Sequence, residues 1–209
     1  MSAEISREVT EQIKKGVSIL EQGGLVAYPT DTVYGLGAYA YLGGAVERIY
    51  RVKERPRDMP LPLLLADEGM IADIAAELSP AAWLLIKELL PGALTLVVNK
   101  SIAVPRIVGS EGPTIAVRIP DHPVPIALIK GLKAPIIGTS ANLSGKQSPL
   151  TAEEVEYQLG DRIDLIIDGG KCPGGTESTV VDVTGEKPAI LREGAITNQE
   201  IERICGALE

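Results

Sequence analysis

The chain has 209 residues, 45% of them hydrophobic and 23% charged, which excludes a disordered or collagen-like polymer despite 22 Gly and 15 Pro and predicts one soluble globular domain over 1–209. Aromatic residues make up only 3%, with no Phe, so Ile, Leu, Val and Ala must fill the core, and a stacking platform for single-stranded nucleic acid is disfavoured. Twenty basic against 28 acidic side chains give a net charge of −8, which repels phosphate backbones and anionic membranes, so any anion site has to be built locally.

Ile5, Val9, Ile13, Val17 and Leu20 recur near helical spacing, and Gly23-Gly24 ends that predicted helix. The same stretch mixes charges among its apolar residues and lacks the core of a signal peptide. No segment reaches the roughly 18 uninterrupted apolar residues of a membrane span, so the expected location is the cytoplasm. Leu25 to Tyr28 reads as a short buried strand stopped by Pro29, followed by a polar, glycine-containing loop through Gly37. Helical spacing resumes over 44–53 with Val46, Ile49 and Tyr50, and Leu61 to Ala66 reads as a second buried strand. Asp67 is placed to cap a helix carrying Met70, Ile71, Ile74 and Leu78, and Ser79-Pro80 to open another.

Further strands are predicted at Leu94 to Val98, Thr114 to Ile119, Pro135 to Gly138 and Ile163 to Asp168. Thr179 to Val183 and Ala189 to Arg192 are expected to pair across a turn containing Gly185. Capping boxes at Thr151…Glu154 and Thr197…Glu200 mark two late helices. The pattern is that of a mixed α/β sheet covered by helices. Cys172 and Cys205 are too far apart for a close metal-ligand pair and too few for a disulfide framework, so both read as free thiols in a reducing compartment.

In open α/β sheets ligands bind beyond the carboxyl ends of strands, and four loops fit that position: 29–37, 53–60, 139–149 and 169–178. Any one of them could be polar only because it is exposed; together they predict one shared pocket. Familiar chemistries drop out first. His122 is the only histidine, which leaves a Ser-His-Asp triad or a histidine-rich metal centre without support and makes His122 a loop or helix-cap residue. Gly145-Lys146 lacks the preceding glycine and following Ser/Thr of a phosphate loop. Gly35-Leu-Gly37-Ala-Tyr-Ala40 matches a dinucleotide fingerprint by chance, because Gly43-Gly44 interrupts the helix that should start there.

Tyr28 to Gly37 is richer in chemistry: hydroxyls, a carboxylate and glycines that admit a small ligand close to the backbone. Lys53 and Arg55 occupy alternate positions and point to one side if the segment is extended, a geometry able to hold a polyphosphate; a solvated helix end is the plainer alternative. Gly138-Thr-Ser-Ala-Asn-Leu-Ser-Gly145 offers hydroxyl and amide donors for phosphate or carboxylate oxygens, or else forms an ordinary turn.

Seven blocks together resemble the YrdC-like threonylcarbamoyl-AMP synthases: YPTDTVYGLG at 28–37, K-x-R-P at 53–56, LPGALT at 90–95, TIAVRIPDHP at 114–123, TSANLSG at 139–145, ESTVVD at 177–182 and LREG at 191–194. The resemblance implies an open, twisted mixed parallel/antiparallel sheet with flanking helices and a concave site. It implies synthesis of threonylcarbamoyl-AMP and pyrophosphate from L-threonine, bicarbonate and ATP, with magnesium on the phosphates. The product would pass to a downstream tRNA-modifying transferase complex for N6-threonylcarbamoyladenosine.

By the same resemblance Thr32, Arg118, Thr139 and Ser178 would bind threonine. Lys53, Arg55, Ser140, Asn142, Ser148 and Arg192 would face ATP, with Lys53 and Arg55 holding the triphosphate during catalysis and no protein metal ligand implied. Two positions depart from the family pattern: Met59 stands where many relatives have Lys or Asn, and Leu64 where many have His, with Arg57 a candidate replacement contact. Two other readings are open: a module binding double-stranded RNA or tRNA weakly through a basic face, and a paralogue using another carbamoyl or nucleotide substrate.

Overall fold

In the computed structural model, which describes residues 5–102, 104 and 112–208, the first apolar stripe forms α1 (Arg7–Glu21), capped by Ser6 through Val9 N. Strands β1 (Val26–Tyr28) and β2 (Gly35–Tyr39) follow as an antiparallel pair. The loop expected to run through Gly37 therefore ends at Tyr34. The cause is the Tyr28 ring: a Cβ on either Gly35 or Gly37 would stand 2.7 Å from it, so glycine is what lets the ring lie on β2. The supposed dinucleotide fingerprint is thus mostly strand, and Gly43-Gly44, expected to interrupt a helix, instead open one after the turn that follows β2.

Next come α2 (Gly43–Lys53), β3 (Leu63–Leu64), α3 (Glu68–Ile74) and α4 (Pro80–Leu89). Asp67 and Ser79 cap α3 and α4 by accepting from Met70 N and Ala82 N, as expected. Of the strand expected over Leu61 to Ala66 only Leu63 and Leu64 form the regular ladder; Pro60 and Pro62 supply no N–H on the leading side, while Leu65 N still donates to Arg118 O at 2.9 Å. Strands β4 (Leu94–Asn99) and β5 (Thr114–Arg118) form an antiparallel pair, and α5 (Pro123–Leu132) starts at His122, whose Nδ1 accepts from Val124 N.

β6 (Ile136–Ser140) runs past Gly138 to pair Ser140 with Gly35. After α6 (Ala152–Leu159), β7 (Leu165–Ile166) is shorter than the predicted Ile163 to Asp168, because a 3-10 turn at Gly160–Arg162 feeds it. β8 (Thr179–Asp182) and β9 (Ala189–Arg192) pair antiparallel as predicted, and α7 (Asn198–Cys205) closes the described chain. Thr151 and Thr197 cap α6 and α7.

The strands make one open nine-stranded mixed sheet, ordered β7-β1-β2-β6-β3-β5-β4-β8-β9. Side chains alternate across it, and the two faces are covered unequally. Leu36, Leu63, Leu96, Val117 and Val181 point to one face, where they pack with Ile49 of α2, Ile71 of α3, Leu85 of α4, Val155 of α6 and Ile201 of α7. On the other face α1 and α5 cover Val26, Tyr28 and Ile136 through Ile13, Leu20, Leu128 and Ile129. Beyond that cover, the alternate residues Thr95, Val97, Ala116, Arg118 and Val180 line a cavity instead. The concave site is the uncovered half of one sheet face.

Candidate active site

The cavity has a volume of about 740 Å³. All four expected loops reach it, through Thr30, Thr32 and Val33, through Lys53, Arg55 and Met59, through Thr139, Ser140 and Asn142, and through Glu177 and Ser178. Its strand floor was not anticipated, since the sequence placed the pocket in the loops beyond the strand ends and gave β4, β5 and β8 no part in it.

One end is built around Arg118, which is 8% exposed. Its Nε donates to Gly92 O at 2.9 Å, its Nη1 to Thr32 Oγ1 at 3.1 Å, and its Nη2 reaches both oxygens of Asp31 at 2.8 Å. Thr30 Oγ1 gives its proton to Val33 O at 2.7 Å, so across the 3.0 Å Thr30–Thr32 contact it is Thr32 that donates, leaving the Thr32 lone pair to Arg118. Asp31 also accepts from Asp121 N at 3.2 Å. Ser178 Oγ lies 2.8 Å from Thr95 Oγ1. Thr139 lines the cavity beside these groups. The four residues expected to bind threonine are therefore brought to one cavity, and Asp31, which carried no assigned role, fixes the arginine.

The other end gathers cations. Glu54 has the left-handed conformation φ 53, ψ 39, so 53–55 is a helix terminus and not an extended segment; the alternation argument for Lys53 and Arg55 fails, although both line the cavity. Arg55 donates from Nε to Met59 O at 3.2 Å and from Nη2 to Pro60 O at 3.1 Å, which folds the 53–60 loop around it. Lys53 is only 1% exposed. Its ammonium donates to Ser140 O, to Asn142 O at 2.8 Å and to Asn142 Oδ1 at 3.3 Å, while Lys53 O accepts from Ser144 N at 2.8 Å. Burial, and after it the Arg55 charge, lower the Lys53 pKa to about 7.

Asn142 turns its amide back to Leu143 O at 2.8 Å and Lys146 O at 2.7 Å, so the 140–146 loop is closed on itself and on Lys53. Arg192 donates from Nη1 to Glu177 Oε2 at 2.5 Å and from Nη2 to Ser178 O at 2.8 Å. Ser148 is the one expected nucleotide contact outside the cavity lining; its hydroxyl goes to Glu177 Oε1 at 2.7 Å. Glu177 was missed because an anion-binding pocket gives no reason to look for a carboxylate, whereas Asp31 was noted in its loop but given no role.

Of the departures from the family pattern, Met59 is 46% exposed at the cavity edge, while Leu64 is 5% exposed and packs so closely on Gly138 that a Cβ there would collide with it. Arg57 is no replacement: it is paired with Glu47 and does not line the cavity. Among the described residues no group of three or more His, Cys, Asp and Glu could hold a metal ion, and the carboxylates lining the cavity are Asp58 and Glu177.

The Sua5/YciO/YrdC family model, described as Telomere recombination, matches residues 18–194. The threonylcarbamoyl-AMP synthase of Pyrococcus abyssi is 42% identical over 197 residues, covering 94% of this chain and 58% of that protein. The threonylcarbamoyl-AMP synthase of Bacillus subtilis is 43% identical over 200 residues, covering 94% and 57%. The chain thus spans less than two thirds of either relative's length. The crystal structure of P. abyssi Sua5 complexed with L-threonine has a TM-score of 0.89 at 42% identity, over 94% of this chain and 58% of that one. E. coli YciO has a TM-score of 0.83 at 32% identity, over 91% and 93%. With the family's matched region running from α1 to the end of β9 and the same open sheet in these solved structures, the chain belongs to the Sua5/YciO/YrdC family.

Proposed function

We propose that the chain is the catalytic unit of a threonylcarbamoyl-AMP synthase, a nucleotidyltransferase that makes threonylcarbamoyl-AMP and pyrophosphate from L-threonine, bicarbonate and ATP. The observation that carries this reading is the continuity of the cavity. The Arg118–Thr32 end, suited to an amino acid, joins the Arg55–Arg192 end, suited to phosphates, where Arg192 holds Ser178. The names of the P. abyssi and B. subtilis relatives, and the L-threonine bound to P. abyssi Sua5, support it.

The chemistry matches what these residues can supply. The threonine amine and bicarbonate combine to a carbamate with loss of water, and a carbamate oxygen attacks the α-phosphorus of ATP while the bond to the β,γ-pyrophosphate breaks. No protein nucleophile is consumed. The Cys172 thiol is buried and its pKa is pushed up to about 11, away from nucleophilic use. Arg118, Thr32, Thr139 and Ser178 orient threonine, and Arg55, Arg192, Ser140 and Asn142 orient and neutralise the triphosphate. Magnesium bound with the nucleotide would shield phosphate charge, and of the two lining carboxylates Asp58 would be the one left to hold it, since Glu177 already accepts from Ser148 and Arg192.

The product is a substrate for a transferase that modifies tRNA. Incubation with ATP, L-threonine and labelled bicarbonate should yield a labelled adenylate. A labelled carbamoyl adduct of another acceptor would favour a paralogous enzyme, and absence of any labelled adenylate would oppose the synthase reading.

A further inference from the structure

Glu177 joins groups that sequence assigned separately to the nucleotide. Ser148 comes from the loop before α6 and Arg192 from the end of β9, yet their donors meet on the two oxygens of one carboxylate, at 2.7 and 2.5 Å. The second arm of Arg192 donates to Ser178 O at 2.8 Å, and Ser178 Oγ lies 2.8 Å from Thr95 Oγ1 on the cavity floor. One unbroken chain of hydrogen bonds therefore runs from Ser148 through Glu177 and Arg192 to the residues at the threonine end.

Glu177 is itself held. Its carbonyl accepts from Ala195 N at 2.9 Å, and Gly194 packs so closely on that carbonyl that a Cβ there would collide with it. Burial alone would raise the carboxyl's pKa, but the Ser148 hydroxyl, Arg192, the Ser140 hydroxyl and Lys53 outweigh it and hold the group below the usual carboxylate range. It is an anion at neutral pH.

A carboxylate in a cationic pocket can do one of two things. It can occupy donors that the substrate must win from it, or it can aim those donors. The placement of Ser148 decides between them. That hydroxyl lies outside the cavity lining and meets the cavity only through Glu177, so a bound phosphate cannot take over the whole of Glu177's position. Arg192 lines the cavity and has N–H groups beyond those used on Glu177 and Ser178.

We infer that Glu177 is a positioning residue for the nucleotide, aiming the Arg192 guanidinium into the cavity. This rests on the synthase reading and adds to it a residue that touches neither reacting atom.

The test is equilibrium binding of ATP and of L-threonine, each alone, to wild type, Glu177→Gln, Arg192→Ala and the double variant. Glu177→Gln keeps the size and loses the charge that fixes Arg192. ATP affinity should fall about tenfold, the scale seen when a group that orients a ligand-binding residue is lost, and threonine affinity should change by less than about twofold. The double variant should bind ATP no more weakly than Arg192→Ala alone, because the two changes remove one interaction.

Unchanged or tighter ATP binding by Glu177→Gln, or losses that add in the double variant, would overturn the inference; tighter binding would mean that Glu177 competes with the nucleotide. If Glu177→Gln does not fold, Glu177→Asp keeps the charge on a shorter arm and should give a smaller loss in the same direction; a full-strength Glu177→Asp would count against the role. Failure of wild type to bind ATP would instead remove the synthase reading.

Discussion

At the residue scale, Lys53 changes meaning most between sequence and fold. A lysine two positions before an arginine reads as half of a phosphate clamp, yet its ammonium is turned to Ser140 O, Asn142 O and Asn142 Oδ1 in a site 1% exposed. In the fold it pins the 140–146 loop while itself lining the cavity. Lys53→Met keeps the apolar stem and leaves those acceptors without their donor, so unfolding should become easier by about 1–3 kcal/mol. Chemical denaturation checks this, and a variant of unchanged stability with lost turnover would assign Lys53 a direct contact with phosphate instead.

The pH dependence follows from the same group. Its folded pKa of about 7 lies below the ordinary 10.5, so the native protein gives up this proton first as pH rises. The charged groups acting on it are Arg55, which favours loss of the proton, and Glu177, which opposes it; Ser140 and Asn142 present neutral groups. Neutral Lys53 has too few N–H groups for its acceptors, so ATP affinity should weaken as pH rises through about 7. Lys53→Arg stays charged and should lose that particular dependence. An identical pH profile in both proteins would contradict the assignment.

At the scale of elements, most helices were legible because they announce their start chemically, α2 being the exception with Leu42 at its N-cap. Ser6, Asp67, Ser79, Thr151 and Thr197 all cap helices, and His122 does so at α5. Strands were less legible where tertiary pairing decides their length: β3 and β7 are two residues each within longer apolar runs. β2 was hidden because Gly35 and Gly37 imitate a loop, and their strand conformation makes sense only once Tyr28 lies across them. Gly35→Ala forces a methyl to 2.7 Å from that ring, a contact the core can relieve only by moving. The change should destabilise by about 1–3 kcal/mol, read as a lower denaturation midpoint with an unchanged slope. An unaltered midpoint would mean that the ring is not held against β2.

The site was legible as donors and cations, and opaque as the carboxylates that aim them. Thr32, Arg118, Ser178, Arg55 and Arg192, singled out by the family resemblance, stand on one cavity. The partners of Asp31 and Glu177 became visible only through distances, since anions in an anion site look like misfits until those partners are known.

At the scale of the whole molecule, an acidic chain of net charge −8 concentrates cations where one sheet face lacks helices. A second basic cleft, at Arg48, Arg51 and Arg162, is crossed by the Asp164 and Glu54 carboxylates paired with Arg48 and Arg162, which disfavours broad affinity for a polyanion. Among the described residues no helix is long and apolar enough to cross a membrane. The uncovered half-face is therefore the feature on which the proposed function rests, because it sets Arg118 and Thr32 on the same cavity as Arg55 and Arg192.

Pyrophosphate release from ATP, measured with threonine and bicarbonate each present or withheld, tests that account most directly. Neither small substrate alone supplies the carbamate nucleophile, so release should require both together and fall to background when either is missing. Equal release without threonine would contradict the account, since it would make the cavity a general nucleotide-hydrolysing site.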